Sequence, residues 1–277
     1  MNQFTFDFNE RFKKMLDESY IDPKDVLPYP PIAITKGFDK GDVEQPIPIC
    51  TYGNFSFIQS QPKAGKTFFV SLLASAYLKP NKHTGDIESH RGGKKLIHYD
   101  TEQGEFHAHR VFRRVTQMAK TTDDYMSFAL RKYSAKERVA FIDWHIENTT
   151  DIGVIIIDGI ADLIDDVNDI EKSSKLAQQL MKWTQENNIH IITVIHTNHG
   201  SEKPTGHLGS FLEKKCETQI ALTRDEESSN VLVKCKRSRG ASFDDFQFRV
   251  NAYNIPEVLE NLDDTIYGES AGFRFEV

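Results

Sequence analysis

Residues 54–78 read Asn-Phe-Ser-Phe-Ile-Gln-Ser-Gln-Pro-Lys-Ala-Gly-Lys-Thr-Phe-Phe-Val-Ser-Leu-Leu-Ala-Ser-Ala-Tyr-Leu. The apolar run 55–58 predicts a buried strand, 59–65 a loop, and from Lys66 a helix with Phe69, Leu72, Leu73 and Ala76 on one face. Strand, loop ending in Gly65-Lys66-Thr67, then helix is the setting in which backbone N–H groups cradle phosphates. In that setting Ser60, Gln61, Pro62, Lys63, Ala64, Gly65, Lys66, Thr67 and Phe68 line a nucleotide. Lys66 bridges its β- and γ-phosphates, and the Thr67 hydroxyl holds Mg²⁺. Ser60 stands where the full pattern has glycine, which weakens the motif without breaking it.

Outward from this stretch, strand and helix patterns alternate, which predicts an α/β fold with a mainly parallel sheet. Strands are expected at 95–99, 128–133, 154–157 and 189–195, and helices at 105–120, 135–147 and 170–186. The run 154–157 is wholly β-branched, as in a central strand buried on both faces. After Leu208, segments 219–223 and 231–236 flank a polar turn and predict an antiparallel hairpin, with a further strand at 246–250. Residues 1–50 are read as an N-terminal arm with a short helix at 4–16. Six prolines between 23 and 48 argue against long regular structure there. The ATPase domain is expected at 51–250 and an acidic tail at 251–277.

The 277 residues carry 27% charged side chains, a net charge of -7 and no apolar run near the roughly 18 residues of a membrane helix. Three separated cysteines, Cys50, Cys216 and Cys235, form no disulfide framework or metal pattern, and the N-terminus shows no signal peptide. A cytoplasmic protein with no membrane role is expected. The negative balance argues against a chain coated with nucleic-acid-binding charge; the most basic run is 234–239.

Asp158 closes the strand 154–157, where such folds place a second Mg²⁺-organising carboxylate. Asp100 and Glu102 stand at the end of the strand 95–99; Glu102 is assigned as the base that activates water, with Asp100 as the alternative. His196 and Asn198 follow the strand 189–195, an end where a polar residue can sense the γ-phosphate. The loop beyond them, through His207, has the composition of a mobile surface loop. Lys236, Arg237 and Arg239 end the hairpin and can reach a neighbouring subunit's nucleotide to neutralise charge developing on the γ-phosphate.

In this order the motifs resemble the RecA-like ATPases, particularly the hexameric RepA-type plasmid helicases and related AAA-family ATPases of bacterial mobile elements. The matching residues are Gln-Pro-Lys-Ala-Gly-Lys-Thr at 61–67, Tyr-Asp-Thr-Glu at 99–102, Val-Ile-Ile-Ile-Asp at 154–158, His-Thr-Asn at 196–198 and the basic strand end at 236–239. The resemblance implies ATP and Mg²⁺, Glu102 as catalytic base, and a homo-oligomer, a hexameric ring, with sites between subunits. It also implies single-stranded DNA as partner, with a helicase-type motor or loader as the function. The alternative is an ATPase switch that controls a protein partner without translocation. A small-molecule kinase fits less well, because no arginine-rich lid is evident, and a nucleotide-dependent assembly protein that does not hydrolyse is the remaining reading. The loops expected to touch DNA, 161–170 and 199–207, carry only Lys203 as a fixed cation. The first holds Asp162, Asp165, Asp166 and Asp169, which repel phosphates.

Overall fold

The computed structural model describes residues 3–39, 42–198 and 200–259. The chain divides into two compact units, 1–30 and 31–277. The first holds helix α1 (Gln3–Ser19), longer than the expected 4–16, on which Phe12, Met15 and Leu16 are exposed.

The second unit takes in residues 31–50, which were expected to belong to the arm. They form strands β1 (Ile32–Asp39) and β2 (Asp42–Thr51), which with β4 (Ile87–Ser89) make a three-stranded antiparallel sheet in the order β2-β1-β4. Pro46 and Pro48 were read as barring such strands. They are accommodated because β2 lies at the sheet edge, where a missing N–H leaves no ladder bond unmade.

The main sheet has nine strands. Those introduced here are β3 (Phe55–Ser60), β5 (Lys95–Asp100), β6 (Tyr125–Ala129), β7 (Ile152–Asp158), β8 (His190–His196), β9 (Thr218–Arg224), β10 (Val231–Ser238), β11 (Phe246–Val250) and β12 (Pro256–Val258). Their order is β12-β11-β10-β9-β3-β8-β7-β5-β6. The strands from β9 to β6 run parallel, and β10, β11 and β12 continue the sheet antiparallel. The expected α/β class and the C-terminal hairpin are both present.

Side-chain alternation builds one core on each face of this sheet. Val154 and Ile156 of β7, with Ile192 and Val194 of β8, face helices α2 (Lys66–Leu78) and α3 (Glu105–Ala119). Ile155 and Ile157, with Ile191 and Ile195, face α4 (Ala135–Glu147), α5 (Ile170–Asn187) and α6 (Gly206–Lys215). Because every residue of β7 is buried, its apolar run is continuous rather than alternating. Helix α4 begins where expected; Ser134 and Glu137 form a reciprocal capping box at its start.

Two expectations along this unit need correction. The strand expected at 128–133 lies earlier, at Tyr125–Ala129, and the chain turns at Leu130, whose N–H donates to the Asp100 carbonyl. Tyr125 is drawn into the strand by its hydroxyl, 3.0 Å from His98 Nδ1. Helix α6 was not anticipated: the loop was expected to run through His207, and no element was assigned to 208–215. Gly206 has φ +68° and packs so closely that a Cβ would lie 2.6 Å from the Val167 carbonyl, and one on Gly209 would meet Pro204 at the same distance. No helix among the described residues is long and apolar enough to cross a membrane.

Candidate active site

The C-terminal ends of β3, β5, β7 and β8 lie side by side, with Ser60 opposite His196, Asp100 opposite Asp158 and Asp158 opposite Val194. In open parallel sheets this edge is where ligands bind. The loop between β3 and α2 turns through left-handed backbone at Lys63 (φ 65°) and Gly65 (φ 96°). A side chain at Gly65 would be strained by that φ and would come within 3.1 Å of Val231 Cγ2. The Gly65 carbonyl accepts from the N–H groups of Phe68 and Phe69, which starts α2 directly beneath the loop. Phe68 lies on this first turn and carries the Arg114 guanidinium 4.1 Å from its ring centroid.

Lys66 points back into the loop. Its Nζ donates to the Ser60 carbonyl (3.3 Å), the Ser60 hydroxyl (3.1 Å) and the Gln61 carbonyl (3.2 Å), and lies 2.9 Å from His196 Nδ1. Ser60 therefore fits the place of the absent glycine: it is 2% exposed and its hydroxyl adds an acceptor for the ammonium. Burial pulls the Lys66 pKa down to about 8, against the opposing pull of Asp158 and Glu102.

Glu102 approaches from β5. Its Oε2 lies 3.8 Å from His196 Nε2. The nearby His196, then the charges of Lys66 and Arg131, hold the Glu102 carboxyl below its usual range despite partial burial. Asp100 serves the turn instead. Its carboxylate accepts from the N–H groups of Glu102 (3.1 Å) and Gln103 (2.7 Å) and from Gln103 Nε2 (2.9 Å). With its oxygens so engaged, Asp100 fixes the turn that carries Glu102.

Asp158 is buried at the end of β7, and its Oδ2 has no hydrogen-bond partner. Desolvation, with Asp100 and Glu102 adding like charge, raises its pKa to about 7, while Lys66 and the Thr67 hydroxyl pull the other way. An unsatisfied carboxylate beside a hydroxyl fits a hard cation. Among the described residues, however, no group of three or more His, Cys, Asp or Glu side chains could hold a metal alone. Thr67 and Asp158 could hold Mg²⁺ only with phosphate oxygens completing its shell.

The sequence reading overlooked Thr101. Its hydroxyl accepts from the Gly159 N–H (2.8 Å) and faces the Gly159 carbonyl (2.7 Å) and the Asp162 carboxylate (3.0 Å), joining the ends of β5 and β7. The available signal was a hydroxyl residue flanked by the two carboxylates of Tyr-Asp-Thr-Glu. The loop aspartates have local partners as well: Asp165 pairs with Lys172, Asp166 accepts from the Asn168 N–H, and Asp169 caps α5 through the Lys172 N–H.

Lys236, Arg237 and Arg239 do not join the Lys66 cluster within the chain. Arg237 donates to the Glu213 carbonyl (3.0 Å), and Arg239 to the carbonyls of Lys215 (2.9 Å) and Cys216 (3.2 Å), so both guanidiniums cover the C-terminus of α6. Lys236 pairs with Glu202 and borders a cavity of about 990 Å³ shared with Gln61, Pro62, Lys63 and Ala64. Hydrogen bonds close the described ends of the segment after β8: Asn198 N–H donates to the Lys203 carbonyl and Thr205 N–H to the His196 carbonyl. His199 lies outside the described residues, as does the tail beyond 259.

Among solved structures, the crystal structure of the RadB recombinase superposes with a TM-score of 0.52 and 17% identity, covering 76% of this chain and 92% of that one. At that identity the likeness establishes the fold. Compared with curated proteins, the sequence gives no match. A family model described as an AAA domain matches residues 49–202. This span exceeds half the chain and contains all four strand ends that meet at Lys66, so the protein belongs to the AAA-domain family and has a RecA-like P-loop ATPase core.

Proposed function

We propose that the protein hydrolyses ATP with Mg²⁺ at the edge formed by β3, β5, β7 and β8. The observation that carries this reading is the convergence of Lys66, Glu102, Asp158 and His196 from four separate strand ends onto one place. Residues 60–68 hold the phosphates, with the Lys66 ammonium turning from loop carbonyls to phosphate oxygens. Thr67 and Asp158 hold Mg²⁺, which when bound neutralises charge on the phosphate oxygens. Glu102, aimed by Asp100, accepts a proton from the attacking water. His196 touches both Lys66 and Glu102 and so is placed to sense whether the γ-phosphate is present.

Binding of a cation at Asp158 requires its carboxyl to be ionised. With a pKa near 7, Mg²⁺ binding releases a proton below that pH. Mg²⁺ affinity should therefore rise with pH while the Asp158 carboxyl still carries its proton and level off once it is ionised, and nucleotide phosphates, as further like charge, move that range above the nucleotide-free value of about 7. Titrations on wild type and Asp158→Asn, at several pH values, check this; the variant should lose the slope that the free nucleotide does not itself account for.

On the resemblance to helicase-type RecA-like ATPases, the reading extends to an oligomeric ring acting on single-stranded DNA as a motor or loader, with Lys236, Arg237 or Arg239 acting across subunits. A second reading, a switch that controls a protein partner, is favoured by one observation. The loop 161–170 is acidic and carries no Lys or Arg that could meet phosphates, and its aspartates are committed to local contacts, Asp162 with Thr101, Asp165 with Lys172 and Asp169 with the Lys172 N–H. ATPase assays with and without single-stranded DNA separate the two. Stimulation of about tenfold or more supports the motor, and a rate indifferent to DNA supports the switch.

A further inference from the structure

A cavity of about 890 Å³ opens at the C-terminal end of the edge strand β6, beyond the Glu102 turn as counted from β3. Its apolar wall is made by Phe128, Tyr133 and Phe141. Phe141 stacks on Trp144 with an interplanar angle of 26°, and Trp144, 57% exposed, carries the aromatic surface outward.

Arg131 and Lys132 line the same space. They belong to the segment 131–138, which holds four cations and one carboxylate. That carboxylate, on Glu137, accepts from the Ser134 N–H and hydroxyl, and the Arg138 guanidinium is spent on the carbonyls of Leu130, Arg131 and Asp162. Arg131, Lys132 and Lys136 are exposed, and none has an ion-pair partner among the described residues. Lys132 Nζ lies 5.3 Å from the centroid of the Tyr133 ring, so cation and ring are presented together. Glu105 is the other carboxylate of the wall, which leaves this surface positive on a chain of net charge -7.

Unpaired cations beside exposed rings suit a ligand that repeats an anion and a flat ring. An acidic polypeptide would satisfy the cations and leave the rings unused. A single strand uses both, and the loop 161–170 offers it no lysine or arginine. We infer that the surface of Arg131, Lys132, Tyr133 and the Phe141–Trp144 pair binds single-stranded nucleic acid, with bases stacked on the rings and phosphates on the two cations. The inference deepens the motor reading given above and rests on it. The strand would lie beside the proposed base. Gln103 lines the cavity while its Nε2 donates to Asp100 Oδ2 at 2.9 Å, and a Cβ on Gly104 would lie 3.7 Å from Arg131 Nη1. A phosphate that draws the Arg131 guanidinium toward itself therefore acts on the turn that carries Glu102.

Binding of a fluorescent oligodeoxythymidylate of about twenty nucleotides to the full chain, with Mg²⁺ and a non-hydrolysable ATP analogue, is measured across a salt series. Tyr133→Ala should weaken binding about tenfold at every salt concentration and leave the salt slope unchanged, since it removes stacking alone. Tyr133→Phe should bind as the wild type does, which separates a lost ring from a disturbed fold. Lys132→Gln should reduce the slope of log affinity against log salt by about 0.7, the release expected for one phosphate contact on a single strand. Lys79→Gln, at the far end of α2, should change neither quantity. A wild type that binds the oligonucleotide while Tyr133→Ala and Lys132→Gln bind it equally well overturns this surface and leaves the motor reading standing. Variants that sediment as smaller species than the wild type without nucleic acid would show that a second copy fills the cavity, and that result overturns the inference too. A wild type that hydrolyses ATP and binds no strand overturns the inference together with the motor reading.

Discussion

Lys66→Ala is expected to lower kcat/KM for ATP by about 10³-fold or more while the protein remains folded. Removal of a preorganised cation at the transferring phosphoryl group has a cost of this order. The structure adds a second loss. Lys66 is one of the groups holding the Asp158 pKa down, so without the ammonium Asp158 retains its proton more firmly and Mg²⁺ competes less well. Steady-state ATPase assays, with thermal unfolding as the control for folding, decide the matter, and equal rates would remove the phosphate-binding role. The same variant tests for composite sites. Mixed with Lys236→Ala subunits, it should recover part of the lost activity if one subunit supplies the loop and its neighbour the cation, and sedimentation should show an oligomer under the assay conditions.

Glu102→Gln should bind ATP with near wild-type affinity and turn it over roughly 10²-fold or more slowly, because only the proton acceptor is removed. Glutamine keeps the shape of the side chain, and the turn that aims it is made by Asp100 accepting the N–H groups of residues 102 and 103, neither of which the substitution touches. Affinity and turnover measured separately distinguish a lost base from a lost binding contact. Normal turnover would shift the catalytic role away from Glu102, and it would not pass easily to Asp100, whose oxygens are occupied by backbone and amide donors.

Most of the parallel core was legible because its signals are local. The run 154–157 is apolar without alternation, which only a strand covered on both faces sustains, and it is β7 in the structure. Gly-Lys-Thr at a helix start places the loop, and the left-handed backbone at Gly65 is what a glycine there is for. Where the reading failed, neighbours distant in sequence decided the outcome. Pro46 and Pro48 look like strand breakers until β2 is known to lie at an edge. Gly206 and Gly209 look like loop residues until Val167 and Pro204 are seen pressing on them. Thr101 could not be assigned from its own segment, since its partners Gly159 and Asp162 lie just after the neighbouring strand β7, more than fifty residues away. The contacts that Arg237 and Arg239 make within the chain were likewise not legible, since their carbonyl partners belong to a helix that was not anticipated.

The prolines of β2 bear on how this protein avoids unwanted association. An exposed strand border with its full row of donors is a template on which another chain can continue the sheet, and that is a route to aggregation. Pro46 and Pro48 present no N–H at two positions two residues apart, opposite Phe38 and Thr35 of β1. An incoming strand would find that row of donors interrupted twice in three residues and could not form a continuous ladder along it. The small sheet is thereby terminated by chemistry at this border, so productive self-assembly has to use other surfaces, and replacing both prolines with residues of high β-propensity would open a path to precipitation without altering a single contact at the nucleotide site.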